Sequence, residues 1–403
     1  MTTEATTTHR GCPVVHTDYT SDSEIYGHYA LLDADREKAR FLYNDTTSTG
    51  FFMIQRYDDV VAGFQQHATW TTAVRTALRP YNGERLLPQD LNGQDHVKLR
   101  RILNQFFSPA AVRRMEPLAI SHCRELVEEL KPRGSCDFVA EFAIRYPTDL
   151  FMALLGLPVS EGAYFQELSE NFFSHLLKGK PQEAASSKEK IMNYFDEAVK
   201  ERRQNLRDPN TDLVSRLITA KIDDKPISHE DILIICFTLM LAGLDTTRSA
   251  LGYIYAYLAN HPDRRREIIE NPGIIPNAVE EFLRVNPLVF QAGRQVQEDC
   301  TFHGLELKKG DIVWLGIAQA NRDPRKFPNP EEVDFNRPGL NQHIAFGAGP
   351  HRCLGMHLAR LELRVVLEEW HKIIPDYRIK EGATLIERGG QLSLASLPLE
   401  WEA

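Results

Sequence analysis

Residues 228–260 constrain the fold of this chain more than any other segment. They contain the longest apolar stretch of the sequence, at 232–244, which is 13 residues long. That is too short to cross a bilayer and better suited to a buried helix. Ser228 is a good N-cap, Asp231 stands three positions later, and Pro262 lies just past the far end. The segment predicts one long interior helix around which the other elements pack.

Most of the remaining pattern is helical, and one part is β-rich. Residues 294–320 carry β-type side chains between turn signals. No flexible linker separates this part from the rest, so we predict a mainly α fold with a minor β-rich part. We expect residues 1–20 to be a flexible N-terminal tail and residues 21–403 to be a single domain. Helices other than the long one are predicted at 96–107, 110–130, 187–207, 276–285 and 356–373.

The bulk composition excludes several classes of protein. A net charge of −9 argues against nucleic-acid binding, because attraction to phosphates needs the opposite sign. The first residues are polar and lack an apolar core of signal-peptide length. The six cysteines have no CxxC spacing, which indicates neither a disulfide framework nor a zinc site. We therefore expect a cytoplasmic monomer that binds neither nucleic acid nor a membrane.

One cysteine has neighbours that single it out. Residues 346–355 read FGAGPHRCLG and lie immediately before a predicted helix. Glycines permit tight turns and a close approach of backbone to a planar cofactor. The start of a helix directs N–H groups and a positive dipole end towards the sulfur, which favours a thiolate, the form that haem iron needs for O–O cleavage. The alternative is a buried cysteine on a glycine-rich turn.

This loop resembles the cysteine-ligand signature of the cytochrome P450 family, FGxGxHxCxG. The likeness extends from about residue 50 to the C-terminus and is of the soluble, bacterial, camphor-hydroxylase type. It implies the P450 fold, with haem b held between the long central helix and the cysteine-loop helix, and Cys353 as the ligand to the iron. The fixed positions of the signature are filled by Phe346, Gly347, Gly349, His351, Cys353 and Gly355.

A pair of charged residues resembles the structural lock of the same family. Glu281 and Arg284 are three apart on a predicted helix and so share a face. By composition alone they are a surface ion pair. The resemblance implies a buried Glu-Arg-Arg network instead, for which Arg337 is the best third member.

The run AGLDTT at 242–247 places polar residues inside the most apolar helix. One interpretation is that the Thr246 hydroxyl bonds back to the carbonyl of Ala242. The other is the family's oxygen-activation motif, which this run resembles. In that case small side chains at Ala242 and Gly243 leave room beside the helix, Thr246 orients a water, and Asp245 relays protons.

The resemblance also implies contacts to the haem propionates and a substrate pocket. Cationic side chains can bind the two propionate carboxylates through charge-assisted hydrogen bonds. The family positions for propionate contacts are filled by His96, Arg100, Arg294 and His351. The side chains expected over the haem are Thr238, Leu241, Val289 and Phe290, of which Thr238 could donate one hydrogen bond.

These expectations define a function. The chain should be a monooxygenase that inserts one atom of O2 into a small apolar substrate of terpenoid or aromatic type. Electrons should come from NAD(P)H through a ferredoxin reductase and a ferredoxin, because 403 residues leave no room for a redox module. Arg101, Arg352 and Arg360 are candidates for docking an acidic ferredoxin. The alternatives are a haem-thiolate peroxygenase and a non-catalytic haem sensor or electron carrier.

Overall fold

The computed structural model describes residues 7–72, 74, 77–78, 85–177, 180–390 and 392–403. Within these ranges helices predominate and the strands are short. The helices are α1 Gly27–Lys38, α2 Tyr57–Phe64, α3 Gly93–Leu103, α4 Pro109–Leu130, α5 Arg145–Leu154, α6 Gly162–Leu177, α7 Pro181–Gln204, α8 Leu213–Thr219, α9 His229–Asn260, α10 Pro262–Glu270, α11 Ile275–Val285, α12 Ile317–Asn321 and α13 Met356–Ile373.

The strands form one large sheet and several small ribbons. The large sheet has the order β1-β2-β4-β5-β13-β10-β6, and β5 pairs in parallel with β13. The strands are β1 Thr8–His9, β2 Cys12–Val15, β3 Ser23–Glu24, β4 Phe41–Asn44, β5 Phe51–Ile54, β6 Trp70–Thr71, β7 Ser135–Asp137, β8 Lys221–Ile222, β9 Lys225–Pro226, β10 Ala292–Val296, β11 Cys300–Phe302, β12 Leu305–Leu307, β13 Ile312–Leu315, β14 Arg378–Ile379, β15 Ile386–Arg388, β16 Ser393–Leu394 and β17 Pro398–Glu400.

The long helix α9 is the centre of the molecule, as the sequence predicts. It begins after Ser228, whose hydroxyl accepts a hydrogen bond from the backbone N–H of Asp231 at 3.0 Å. Helices α5, α7 and α13 pack against it. By length and composition α9 could cross a membrane, but 61% of its most apolar 18-residue stretch is buried inside the molecule, as expected of a core helix.

The prediction of a flexible tail is wrong for the part of it that the structure describes, which starts at residue 7. Strands β1 and β2 extend the large sheet, since Val14 pairs with Tyr43 of β4. The Tyr19 ring is fully buried and packs on Trp314 with ring centroids 5.0 Å apart. Polar composition suggested a tail, but backbone pairing and one buried ring hold this segment in place.

Two helix boundaries also differ from the predictions. The helix predicted at 96–107 is α3, which ends at Leu103. Phe106 and Phe107 belong to the turn that follows, and their rings are buried there. The helix predicted at 187–207 is α7, which starts at Pro181, a residue that fits the first turn of a helix. The predicted 356–373 helix is confirmed as α13.

Candidate functional site

The cysteine loop is a sequence of tight turns between the large sheet and α13. Gly347 and Gly349 have φ of 68° and 69°, a conformation that favours glycine. A Cβ atom at Gly349 would lie 2.7 Å from the carbonyl oxygen of Phe64, so only glycine fits there. The backbone N–H of Cys353 donates to the Phe346 carbonyl at 2.9 Å, which closes the loop just before α13. Gly347 and Gly349 are therefore required by the turn geometry, whereas Gly355 has a φ of −83° and room for a Cβ atom.

Cys353 keeps exposed surface, although protein atoms are densely packed around its thiol. Burial raises the pKa of this thiol, and it outweighs the lowering effects of the Gly355 backbone N–H and of Arg100, Arg360 and Arg352. The backbone N–H before helix α13 lowers the thiol pKa, as predicted, but by less than burial raises it. A metal cation bound to the sulfur would favour the thiolate at this position.

A part-buried ion-pair network connects the cysteine loop to α11. Glu280 on α11 accepts hydrogen bonds from Arg360 at 2.6 and 2.7 Å and contacts His343 at 2.9 Å. Burial raises the pKa of Glu280, but Arg360 and His343 together lower it to about 2. The Arg360 guanidinium also lies 4.6 Å from the centroid of the Phe346 ring. Arg360, predicted as a docking residue, is thus already paired inside the protein.

The four predicted propionate contacts converge on one place. The rings of His96 and His351 are 4.0 Å apart, and Arg100 donates to the carbonyl of Arg352 at 2.9 Å. Burial, His96, Arg294 and Arg100 together lower the pKa of His351 to about 3. Burial lowers the pKa of Arg294 to about 10, and burial followed by Arg100 lowers that of His96 to about 4. Burial is the main cause of each shift, and neighbouring cations add to it for the two histidines, whereas Arg294 stays a cation.

This cationic cluster of His96, Arg100, Arg294 and His351 fits an anionic ligand. Arg294 donates only to the carbonyl of Gly293 and lies over the Phe64 ring at 5.3 Å, and no carboxylate in the described residues forms an ion pair with Arg100 or Arg294. A buried cation such as Arg294 is costly without an anion. The two propionates of haem would supply them.

The iron would have one protein ligand. Within the part of the chain that the structure describes, no group of three or more His, Cys, Asp and Glu side chains could hold a metal ion. An iron atom bound through Cys353 must therefore bring most of its ligands with it, as in a macrocycle. The residues present fit haem both at the sulfur and at the propionates.

The oxygen-activation segment lies on α9. The Thr246 hydroxyl donates to the Ala242 carbonyl at 2.8 Å, so the back-bonding interpretation describes the resting geometry. Ala242 and Gly243 are exposed on the same part of the helix, which leaves free space beside them. The Asp245 side chain is only 6% exposed and forms an ion pair with Arg248, one turn further along α9. The sequence motif did not indicate this partner.

A second acid near this segment was missed. Glu362 on α13 is buried and accepts a hydrogen bond from the Thr247 hydroxyl at 2.8 Å. Burial raises the pKa of Glu362 to about 8, and the hydrogen bond from Thr247 acts in the opposite direction. Its position nine residues after the cysteine was visible in the sequence, but nothing in the pattern marked it as buried.

The three-residue lock is confirmed. Arg284 donates to both oxygens of Glu281 at 2.7 and 2.8 Å, and Arg337 donates to the same carboxylate at 2.9 Å. Both arginines also donate to backbone carbonyls, including that of Glu332. All three side chains are buried. The surface-pair interpretation is therefore wrong.

The predicted pocket residues divide into two groups. Val289 is 45% exposed and Leu241 half-buried, as expected of residues that line a cavity. Phe290 is 2% exposed and packs on Trp314 with ring centroids 5.4 Å apart, so its predicted place over the haem is wrong. The Thr238 hydroxyl donates to the Ile234 carbonyl at 2.8 Å and is not a free donor.

With this geometry in hand, comparison with known proteins identifies the family. The family model described as Cytochrome P450 matches residues 163–272 and 273–381, which is more than half of the chain. The chain belongs to the cytochrome P450 family. This P450 is therefore a haem monooxygenase whose haem b is bound through a cysteine, and it uses O2, a redox partner and a small substrate.

Its relatives are bacterial P450s. It is 33% identical to the probable cytochrome P450 127A1 of Sinorhizobium fredii over 78% of this chain and 75% of the relative. It is 30% identical to the polyketide biosynthesis cytochrome P450 PksS of Bacillus subtilis, over 81% of this chain and 82% of that protein. The crystal structure of CYP101J2 superimposes with a TM-score of 0.87 at 26% identity, and the match covers 99% of this P450 and 100% of CYP101J2. The predicted mainly α P450 fold is thereby confirmed.

Proposed function

We propose that this P450 hydroxylates a compact, mainly apolar molecule of terpenoid or small aromatic size. One observation carries the assignment: Cys353 lies on a tight loop beside two arginines and two histidines, and no carboxylate of the described residues pairs with those arginines. In this proposal Cys353 ligates the iron, and Phe346, Gly347, Gly349 and Gly355 shape the loop around it. His96, Arg100, Arg294 and His351 hold the propionates. When bound, haem supplies the reduction of O2 and the transfer of one oxygen atom to carbon.

Thr246 and Asp245 would control the protons that the reaction consumes. Thr246 Oγ1 donates its hydrogen to the Ala242 carbonyl, so its lone pairs can accept a hydrogen bond from a water. Asp245 is the adjacent acid, and its carboxylate can take a proton from outside and pass it on. Ala242 and Gly243 leave the space in which an oxygen ligand and a water can lie beside the helix.

The side chains that can contact a ligand favour an apolar substrate. Leu241 and Val289 are apolar, and Thr238 has its hydroxyl donated to the helix backbone. Removal of apolar area from water, at roughly 25 cal/mol per Å², would therefore supply most of the binding energy. Val289, the more exposed of the two, would set the size of ligand accepted, in place of Phe290.

Electrons would arrive from an acidic ferredoxin on the cysteine side. Arg101 and Arg352 are exposed there, whereas Arg360 is paired with Glu280. Exposed cations accelerate association with an acidic partner in a salt-sensitive way. Relatives of this chain are bacterial enzymes, and we propose that this one is likewise a soluble, cytoplasmic monomer supplied by NAD(P)H through a ferredoxin reductase.

The carbon monoxide complex of the reduced protein tests the iron ligand. Thiolate ligation should give the strongly red-shifted Soret band, and Cys353→His should lose it. A histidine-type spectrum in the unmodified protein would reject the assignment. Cys136→Ser, which alters a buried cysteine away from the loop, is the matched control and should leave the band in place.

Two further measurements test proton control and the substrate class. Thr246→Ala should keep substrate binding and NADH consumption while product falls and hydrogen peroxide rises; unchanged coupling would reject the role. For the substrate, dissociation constants from spectral shifts should tighten along a series of alkylbenzenes and monoterpenes. Tight binding confined to strongly polar compounds would contradict the apolar pocket.

A further inference from the structure

A narrow polar cleft lies between α5, α6 and α9, on the side of the long helix to which Asp245 points. Successive residues of an α-helix point about 100° apart, so this side differs from the one that Thr246 occupies. The cleft contains two acids, one cation and three neutral polar side chains. Its polar lining consists of Thr148, Gln166, Ser169, Glu170, Asp245 and Arg248.

The cleft is built to hold water. The Nε atom of Arg248 is buried and has no hydrogen-bond partner among the described residues. The hydroxyls of Thr148 and Ser169 donate to the carbonyls of Ile144 and Phe165 at 2.7 and 2.9 Å, and their oxygens remain able to accept. One donor and two acceptors around a small polar space are what an internal water needs.

The outer end of the cleft carries a second acid. Glu170 is half-buried and accepts a hydrogen bond from the Gln166 amide at 3.2 Å. Asp245 at the inner end is only 6% exposed, and its partner Arg248 is 11% exposed. Glu170 therefore lies at the more exposed end of the cleft, and Asp245 and Arg248 lie at its buried end.

We propose that this cleft is the path by which protons reach Asp245, and that Arg248 is its positioning residue. The inference rests on the proposed monooxygenase function. A proton passes from solvent to the Glu170 carboxylate, through a water held by Arg248 Nε and the two hydroxyls, to the Asp245 carboxylate. Asp245 then delivers it towards Thr246. Two protons, two electrons from the redox partner and one O2 convert R–H into R–OH and water, so the cleft supplies the protons of that balance.

Cysteine labelling of the haem-loaded protein tests whether solvent enters the cleft. Ser169→Cys places a thiol in the lining, where it should react with 2-aminoethyl methanethiosulfonate about ten-fold or more faster than the native Cys236, which is fully buried. Thr148→Cys is a second probe of the same lining in case Ser169→Cys does not fold. Rates equal to that of Cys236 in whichever probe folds would overturn the water path.

Coupling measurements test the role of Arg248, with styrene as the probe substrate. Arg248→Gln should lower styrene oxide formed per NADH by about two-fold or more, raise hydrogen peroxide and increase the solvent isotope effect on turnover. Styrene oxide formation driven by added hydrogen peroxide should be unchanged, because peroxide brings its own protons. Glu170→Gln should act in the same direction but more weakly. Arg266→Gln breaks an exposed Arg–Asp pair of the same three-residue spacing on α10 and should change nothing.

The outcomes separate this inference from the function on which it rests. If Thr246→Ala uncouples the enzyme while Arg248→Gln and Glu170→Gln leave peroxide and isotope effect unchanged, the cleft is rejected and the monooxygenase assignment stands. If the carbon monoxide complex lacks the thiolate band, the function itself falls. An equal loss in NADH-driven and peroxide-driven product for Arg248→Gln would show a merely structural role and overturn the proposal.

Discussion

Two groups of buried or half-buried arginines in this molecule have opposite surroundings. In the lock, Arg284 and Arg337 share the carboxylate of Glu281, and backbone carbonyls accept their remaining N–H groups. In the cationic cluster, Arg294 and Arg100 contact carbonyls and rings, and no carboxylate of the described chain pairs with them. The first group is complete as protein, whereas the second is complete only with an anionic ligand. The buried charges of the lock thus have a structural role, whereas those of the cationic cluster indicate a ligand-binding site.

The largest effect should come from breaking the lock. Glu281→Gln leaves two buried guanidinium groups without a carboxylate, which should cost about 3–5 kcal/mol in the free energy of unfolding. The loss should be seen with and without haem, by guanidinium chloride denaturation. Glu267→Gln, which breaks the part-exposed pair with Arg264, is the control and should cost about 1 kcal/mol or less. A similarly small loss for Glu281→Gln would mean that the lock is not structural.

Removing a cation from the cluster should separate stability from haem binding. Arg294→Leu should lower haem affinity by about 10- to 100-fold, because a charge-assisted contact to a propionate is lost. The free energy of unfolding of the haem-free chain should not fall, because Arg294 is a buried cation without a carboxylate partner. Haem titration and denaturation of the haem-free chain measure the two quantities. Arg284→Leu should reduce both the haem affinity and the free energy of unfolding. If the two variants changed both quantities equally, the lock and the cluster would not differ in role.

Glu362 sharpens the comparison, because this buried acid has a hydroxyl partner where Glu281 has two cations. Its pKa is raised to about 8 in the folded chain, from 4.5. The folded state therefore holds a proton that the unfolded state releases, and the stability present below pH 4.5 is lost as the pH rises towards 8. Glu362→Gln should match the unmodified protein near pH 5 and exceed it by about 2 kcal/mol at pH 6.5. Parallel pH–stability curves would contradict a protonated Glu362.

The sequence was sufficient where a residue's role follows from neighbours along the chain. The cysteine loop, the cap at Ser228 and helix α13 were predicted because turns, caps and periodicity are local. Arg337 was found through resemblance, since its distance from Glu281 in sequence hides their contact. Arg248 stands only three residues from Asp245, yet the choice of partner depends on burial, which the pattern of α9 does not reveal.

Errors arose where direction and pairing are decided by tertiary contacts. Val289 and Phe290 are adjacent and both apolar, so composition could not show that only one of them turns away towards Trp314. The polar N-terminal residues 7–20 resembled a tail because short edge strands leave little hydrophobic pattern. Arg360 and Arg352 look alike in sequence, and only Glu280 distinguishes them.

The connectivity of the large sheet has a consequence for biosynthesis. Strand β5 at residues 51–54 pairs with β13 at 312–315, and β10, which carries Arg294, pairs with β13 as well. A ribosome must therefore release more than three quarters of the chain before the centre of this sheet can close, and Cys353 emerges later still. Contacts so distant in sequence form slowly. Haem can consequently be held at both the sulfur and the propionate contacts only after synthesis has passed Cys353, so we expect haem to bind late in folding.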